Sequence, residues 1–414
     1  MKKTLLGIAA LTGTALTANG AILKVSDQTF ANFGLKMQIY GMIKSSAAAN
    51  GGKSATDFSI HNARIYFSGQ LNPIVQFGAN FDFSVTGRII DIDFNNQEVK
   101  VIKSSHEGTG TTRVRDAFIN FHFTNAFNVM AGLYRVPFAR EGLIDEYQRI
   151  FMPQAGETPE GTEWDKAHAP GTLTDALTDE NYTVDAYRDA GVTIWGDVLN
   201  GMVKYYIGVY DSMGDHDVSS LVGNGKDSLG YGIRIQFTPT MLGFQGEKGY
   251  LVKETYFGKK NVLSVGIGYF YSKISKNGDD YKEKAYTVDI NYEQKFGVVV
   301  PKLMLAYTVH DYSGDDTDKE KVYTIKAGLL YDQQLWLGKI GAYVKYQKAH
   351  VELNGGGDWK PSMWSIAIPY YLADQNAKVV LQYNYYDNDD RDGVRGANDN
   401  DKNGDLTLAF QVQF

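Results

Sequence analysis

Ionisable side chains recur in the middle of otherwise apolar stretches: Arg64, Asp82, Asp116, Lys204, Arg234, Asp289, Lys302, Lys326, Lys345 and Lys378, with His122 and His310 as further titratable groups. A charge inside a folded chain needs an ion partner or water. Signs are mixed and no ligand spacing repeats, so the chemistry on offer is the handling of ions in a wet passage rather than the making of bonds. The seven histidines (His61, His106, His122, His168, His216, His310 and His350) form no HExxH pair, and the chain has no Gly-x-Ser-x-Gly elbow and no Walker phosphate loop. His61 beside Ser59 or Ser68 is the nearest approach to a Ser–His pair, and that spacing supplies no triad. With no cysteine, zinc ribbons, thiol catalysis and disulfides are excluded. Asp399 to Asp405 resembles the start of a calcium loop, but position twelve would be Phe410, so the bidentate acid is missing and a solvated acidic loop is the reading. No catalytic residue, metal or cofactor is expected, and the protein is not expected to be an enzyme.

What positions those charges is a pattern of period two. Leu35, Met37, Ile39, Gly41 and Ile43 alternate with Lys36, Gln38, Tyr40 and Lys44, and Val75, Phe77, Ala79, Phe81 and Phe83 with Gln76, Asn80 and Asp82. Successive strand side chains point to opposite faces, so one face is greasy and the other wet. Sixteen such strands are predicted, near 34–44, 58–71, 74–85, 113–123, 127–136, 188–198, 202–211, 228–238, 261–272, 284–296, 300–312, 321–331, 338–348, 361–371, 377–387 and 405–414. Connections alternate between short turns and longer polar loops; 239–260 breaks the rule as a long turn among the short ones. Even strand number, short turns at one end and long loops at the other are the signature of an outer-membrane barrel. Sixteen strands leave a lumen wide enough for water, so mid-strand charges there need not be dry. Tyr205, Tyr269, Tyr292, Tyr323, Tyr346, Tyr370 and Tyr385 lie near the ends of apolar rows, as interfacial girdles do.

Composition agrees. The chain has 414 residues, 43% apolar, with 44 Gly, 28 Tyr and 21 Phe; a mean hydropathy of −0.31 excludes a bundle of membrane helices. A net charge of −7 gives no footing for nucleic acid. Residues 1–20 carry Lys2 and Lys3, a short apolar run and a small-residue exit, the plan of a signal peptide, which leaves 21–414 as the barrel. Its removal takes away two lysines and no acid, bringing the net charge to −9.

Four stretches, Arg64-Ile-Tyr-Phe-Ser-Gly-Gln-Leu71, Val114-Arg-Asp-Ala-Phe-Ile119, Gly132-Leu-Tyr-Arg-Val-Pro-Phe-Ala-Arg-Glu141 and Tyr256-Phe-Gly-Lys-Lys-Asn-Val-Leu263, resemble the phosphate-selective (O/P-type) porin family of Gram-negative outer membranes. The alternating terminal strand ending in Phe414 resembles that of bacterial outer-membrane proteins. The resemblance implies an all-β, 16-stranded antiparallel transmembrane β-barrel, a homotrimer in outer-membrane lipid and lipopolysaccharide, with the third extracellular loop folded inward. Here that loop would be 138–187, beginning after Pro137. In this family arginines draw anions to a constriction, and the positions lying on the matching stretches are Arg64, Arg115, Arg135 and Arg140, with Asp116 beside them and Lys259 and Lys260 on a turn expected to face the periplasm. Pairing of those arginines with Asp82, Asp116 or Glu141 is the alternative.

The loop itself departs from a dedicated anion path: residues 138–187 hold eleven acids and three bases. Carboxylates lining a constriction would repel phosphate. The sequence therefore predicts a passive channel for small hydrophilic solutes or inorganic anions such as phosphate, with a general or cation-preferring pore as the alternative within transport and a barrel enzyme or adhesin as the alternative outside it.

Overall fold

The computed structural model describes residues 21–44, 55–83, 90–93, 100–104, 113–152, 188–211, 229–276, 279–313, 317–353, 357–387 and 402–414. Their sixteen main strands are β1 (Phe30–Lys44), β2 (Ala55–Gln70), β3 (Val75–Asp82), β4 (Arg113–Thr124), β5 (Phe127–Arg135), β6 (Arg188–Val198), β7 (Val203–Tyr210), β8 (Gly230–Phe237), β9 (Val262–Lys276), β10 (Asp279–Glu293), β11 (Val299–Ser313), β12 (Thr317–Leu335), β13 (Gly338–Leu353), β14 (Ser362–Ala373), β15 (Ala377–Asp387) and β16 (Lys402–Gln413). Each pairs antiparallel with its sequence neighbours, and β16 closes on β1 from Lys36 against Gln413 to Lys44 against Asp405. The ring has no free edge, so every ladder group finds a partner without water. A short strand, Ala21–Lys24, pairs with the start of β1, and Ile90–Asp93 and Lys100–Ser104 form a separate ribbon.

The alternation resolves the question that periodicity leaves open. On β8, Tyr231, Ile233, Ile235 and Phe237 are exposed, Ile235 at 50%, whereas Arg234 and Gln236 are buried, Arg234 completely. β7, β14 and β16 repeat the arrangement. Apolar side chains therefore cover the outside and polar ones the inside, the inverse of a water-soluble barrel. The protein is an outer-membrane barrel.

Strands β9 to β13 are longer than the alternation predicts. The expected long loops 273–283, 313–320 and 349–360 are mostly ladder: β9 runs into β10 across 277–278, β11 into β12 across 314–316, and Asp358–Trp359 folds back onto β13. Beyond the acyl chains the outer face meets headgroups and water, so polarity stops alternating while the hydrogen-bonded ladder continues. The strand ends there carry no hydropathy signal.

Candidate functional site

Chain leaves the wall at the end of β5, and residues 136–152 pack against the inner faces of strands on every side of the ring. Two 3₁₀ turns, Glu141–Leu143 and Glu146–Gln148, compact the segment, and Phe138, Leu143, Ile144, Tyr147, Ile150 and Phe151 are buried in it. Lys36 on β1 donates to Asp145 at 2.6 Å, and Arg64 on β2 pairs with Glu146. Lys326 on β12 holds both Glu141 and Glu254, Gln382 on β15 accepts from the Met152 amide at 2.8 Å, and Gln411 on β16 donates to the Tyr147 carbonyl at 2.9 Å. Arg234 on β8 donates to the Phe138 carbonyl at 3.0 Å while held by Asp289 on β10 at 2.6 and 2.8 Å. Gly266 and Gly268 on β9 make this approach possible: a Cβ on Gly266 would lie 2.1 Å from the Arg234 guanidinium, and one on Gly268 2.3 Å from the Phe138 oxygen.

A second segment enters from the opposite rim. Residues 238–261, the long turn that breaks the sequence pattern, join β8 to β9 and rise to meet 136–152. The Val252 amide donates to the Leu143 carbonyl at 3.1 Å, and the Tyr250 hydroxyl to the Arg135 carbonyl at 2.7 Å. Glu247 accepts two bonds from the Arg140 guanidinium, at 2.6 and 2.7 Å, and others from Tyr256 and Gln236. Burial pushes the Glu247 carboxyl up, but Arg140, the Tyr256 hydroxyl and Lys204 outweigh it and hold its pKa at about 2. The Tyr250 ring packs edge-on against Tyr134, Trp195 and Tyr206.

Arginines occupy one arc of the wall. Arg64 and Arg115 share one oxygen of Asp82, at 2.9 and 3.0 Å. Arg188, at the start of β6 and register partner of Arg135, donates to Asp116 at 2.7 Å. Arg135 lies 3.9 Å from both Asp145 and Glu146 and donates to the Gly142 carbonyl. Desolvation works against both acids, yet Lys36 and Arg135 draw Asp145 down to about 2, and Arg64, Arg115, Arg135 and Arg188 pull Glu146 well below the usual carboxylate range. Lys36, Tyr66, Asp116, Arg135, Asp145 and Arg188 line a cavity between arc and segment. Cations on the wall are thus paired directly with anions on the inserted chain, Lys36 with Asp145 and Arg64 with Glu146.

Of the positions named from sequence, Arg64, Arg115, Asp116 and Arg135 come together in this arc. Arg140 points away from it, into Glu247. Lys259 sits at the far rim, 69% exposed in its side chain and paired with Asp374 at 2.6 Å; Lys260 lies over the Tyr256 ring. Sequence reasoning missed Lys36 and Arg188 as arc members and Glu247 and Glu254 as partners. Lys36 stood on the polar face of a predicted strand, whereas the Arg140–Glu247 pair spans more than a hundred residues and leaves no local trace. Residues 153–187, Asp399–Asp401 and the N-terminal 1–20 lie outside the described residues.

No curated protein sequence matches the chain. Among solved structures it is similar to an anion-selective porin from Comamonas acidovorans, at 12% identity and a TM-score of 0.57 over 94% of this chain and 100% of that one. It is similar also to the outer membrane channel DcaP of Acinetobacter baumannii, at 12% identity and a TM-score of 0.55 over 95% and 99%. OmpF of Salmonella typhi gives 15% and 0.54 over 95% and 100%. At these identities the likeness is one of fold. The family model for phosphate-selective porin O and P matches residues 37–254, more than half of the sequence, and the chain belongs to that family.

Proposed function

We propose that the protein is a passive diffusion channel of the outer membrane for small hydrophilic solutes and inorganic anions, working without catalysis and assembled as a homotrimer. The connection beginning at 136 would be the inward-folded third loop, and its passage across the arginine arc would form the constriction. The observation that carries this reading is the arc itself: Arg64 on β2, Arg115 on β4, Arg135 on β5 and Arg188 on β6, opposed by Asp145 and Glu146. Guanidinium groups attract anions from both sides of the membrane. Because carboxylates already occupy many of their donors, a phosphate ion would have to displace one to bind tightly. Weak anion preference is the expectation, and phosphate the anion most worth testing.

A general or cation-preferring pore is the second reading, favoured by the depressed pKa values of Asp145 and Glu146, which keep both charged throughout the physiological range. Reversal potential across a planar bilayer in a potassium chloride gradient separates the two. An anion-selective potential, with chloride current blocked by millimolar phosphate and the block weakened in Arg135→Ala, supports the first. A zero or cation-selective potential rejects anion preference, and the absence of discrete conductance steps rejects the channel.

A further inference from the structure

The outer surface of the barrel is not uniform. On β9, β10, β12 and β13 the same outward pair recurs at the end remote from the chain termini: Tyr271 with Lys273, Lys284 with Tyr286, Lys321 with Tyr323, and Tyr346 with Lys348. Strand direction alternates, so the order is Tyr-x-Lys on ascending strands and Lys-x-Tyr on descending ones. In all four the lysine is the more distal residue. Two residues of strand place its backbone about 7 Å beyond the aromatic ring. Tyrosine rings rest at headgroup level, so the ammonium groups lie where lipid phosphates are found.

Cross-strand register gathers these lysines into one belt. Lys273 stands opposite Lys282, Lys284 beside Asp311, Asp311 beside Lys319, and Lys321 beside His350. Acids occur in the belt too: Asp311 is 3.6 Å from Lys319, Glu352 pairs with Lys321, and Asp358 takes His350 at 3.1 Å and Lys360 at 3.2 Å. Lys273, Lys282, Lys284, Lys319, Lys321, Lys348 and Lys360 still outnumber them, and most lie half-buried along their stems. Among the described residues, the outward faces of β1–β8, β14 and β15 carry no lysine or arginine, and β16 has one in outward register, Lys402 opposite Asp387; the others end in Ile43, Phe58, Phe81, Val209, Tyr231 and their like.

We propose that this belt is a binding surface for a lipid of the outer leaflet that bears phosphate groups on its headgroup. The tyrosines would seat the acyl–headgroup boundary, the lysines would take the phosphates, and the interspersed acids would admit a bridging divalent cation. The belt lies outside the lumen, so this assignment does not depend on what the channel conducts.

The test uses the full-length protein in phosphatidylcholine nanodiscs doped with either a bisphosphorylated glycolipid or its enzymatically dephosphorylated form. Native mass spectrometry reads the bound lipid, and single-channel conductance is recorded alongside. Wild type is expected to retain the phosphorylated lipid at least tenfold better. The combined Lys→Gln variant at 273, 282, 284, 319, 321 and 348 should lose that difference, while the Lys→Arg variant keeps it and both conduct as wild type does. Equal retention of the two lipids, or undiminished retention by the Gln variant, overturns the proposal. So does full displacement by millimolar inorganic phosphate, which would reduce the belt to general anion attraction.

Discussion

Two walls of the same ring solve different problems. Along β3–β8 the strands are short, 8 to 12 residues, and two long connections, after β5 and after β8, carry chain into the lumen. From β9 to β13 the strands run 15 to 19 residues and pass into one another with almost nothing between. Chain that extends one wall above the bilayer is, on the other, folded inside as filling. The low wall supplies the chain that fills the ring, and the tall wall carries the longer ladder. Burial follows the same division: aromatic rings of β5, β6 and β7 pack on Tyr250, whereas the inner face of the tall wall offers the inserts polar anchors such as Lys326 to Glu254 and Asp289 to the Arg140 amide.

This contrast can be broken most forcefully at the junction of the inserts. Glu247→Ala leaves the buried Arg140 without its carboxylate and should cost about 3–5 kcal/mol, read as a lower urea midpoint for unfolding from bilayers, with larger conductance as the segment loosens. Protonation should act in the same direction. The Glu247 and Asp145 pKa values lie near 2, below their ordinary 4.5 and 3.8. A carboxyl held low stabilises the fold above its unfolded pKa and releases that stability as pH falls through the folded one. Conductance should therefore stay flat from pH 8 to about 5, and the inserts should loosen only between roughly pH 4 and pH 2. A change near neutral pH would contradict this.

Lipid contact comes next in size. Ile235→Lys on the low wall and Ile325→Lys on the tall one should each cost about 2–4 kcal/mol if both residues sit near the membrane midplane. A much larger penalty at Ile235 alone would mark the low wall as packed against a neighbouring subunit. Gly268→Ala, whose Cβ would collide with the Phe138 carbonyl, should cost about 1–3 kcal/mol and alter conductance. The smallest effect belongs to Lys321→Gln, which should leave the melting temperature in neutral lipid unchanged because its pair with Glu352 is solvated.

The strands were legible because two environments of opposite polarity, one on each face, impose period two on the side chains, as in Val75-Gln76-Phe77. Which side met lipid was not legible, since inversion leaves the pattern unchanged. The upper ends of β9–β13 were lost where water bathes both faces. Pro137 and the anomalous length of 239–260 marked where chain leaves the wall, but not that the two excursions meet. That meeting rests on Arg140 with Glu247 and on Leu143 with Val252, partners that only the closed ring brings together. Gly266 and Gly268 carry no such signal by themselves; they are clearances for one guanidinium and one carbonyl oxygen.

The near absence of connecting chain on the tall wall also decides what an antibody, a phage or a protease outside the cell can grip. Two or three residues at 277–278 and 314–316 present no peptide long enough to enter a protease cleft or fill a paratope. Foreign epitopes grafted for surface display belong between Lys44 and Ala55 or between Asp211 and Leu229, where an insertion interrupts none of the paired residues of the described strands.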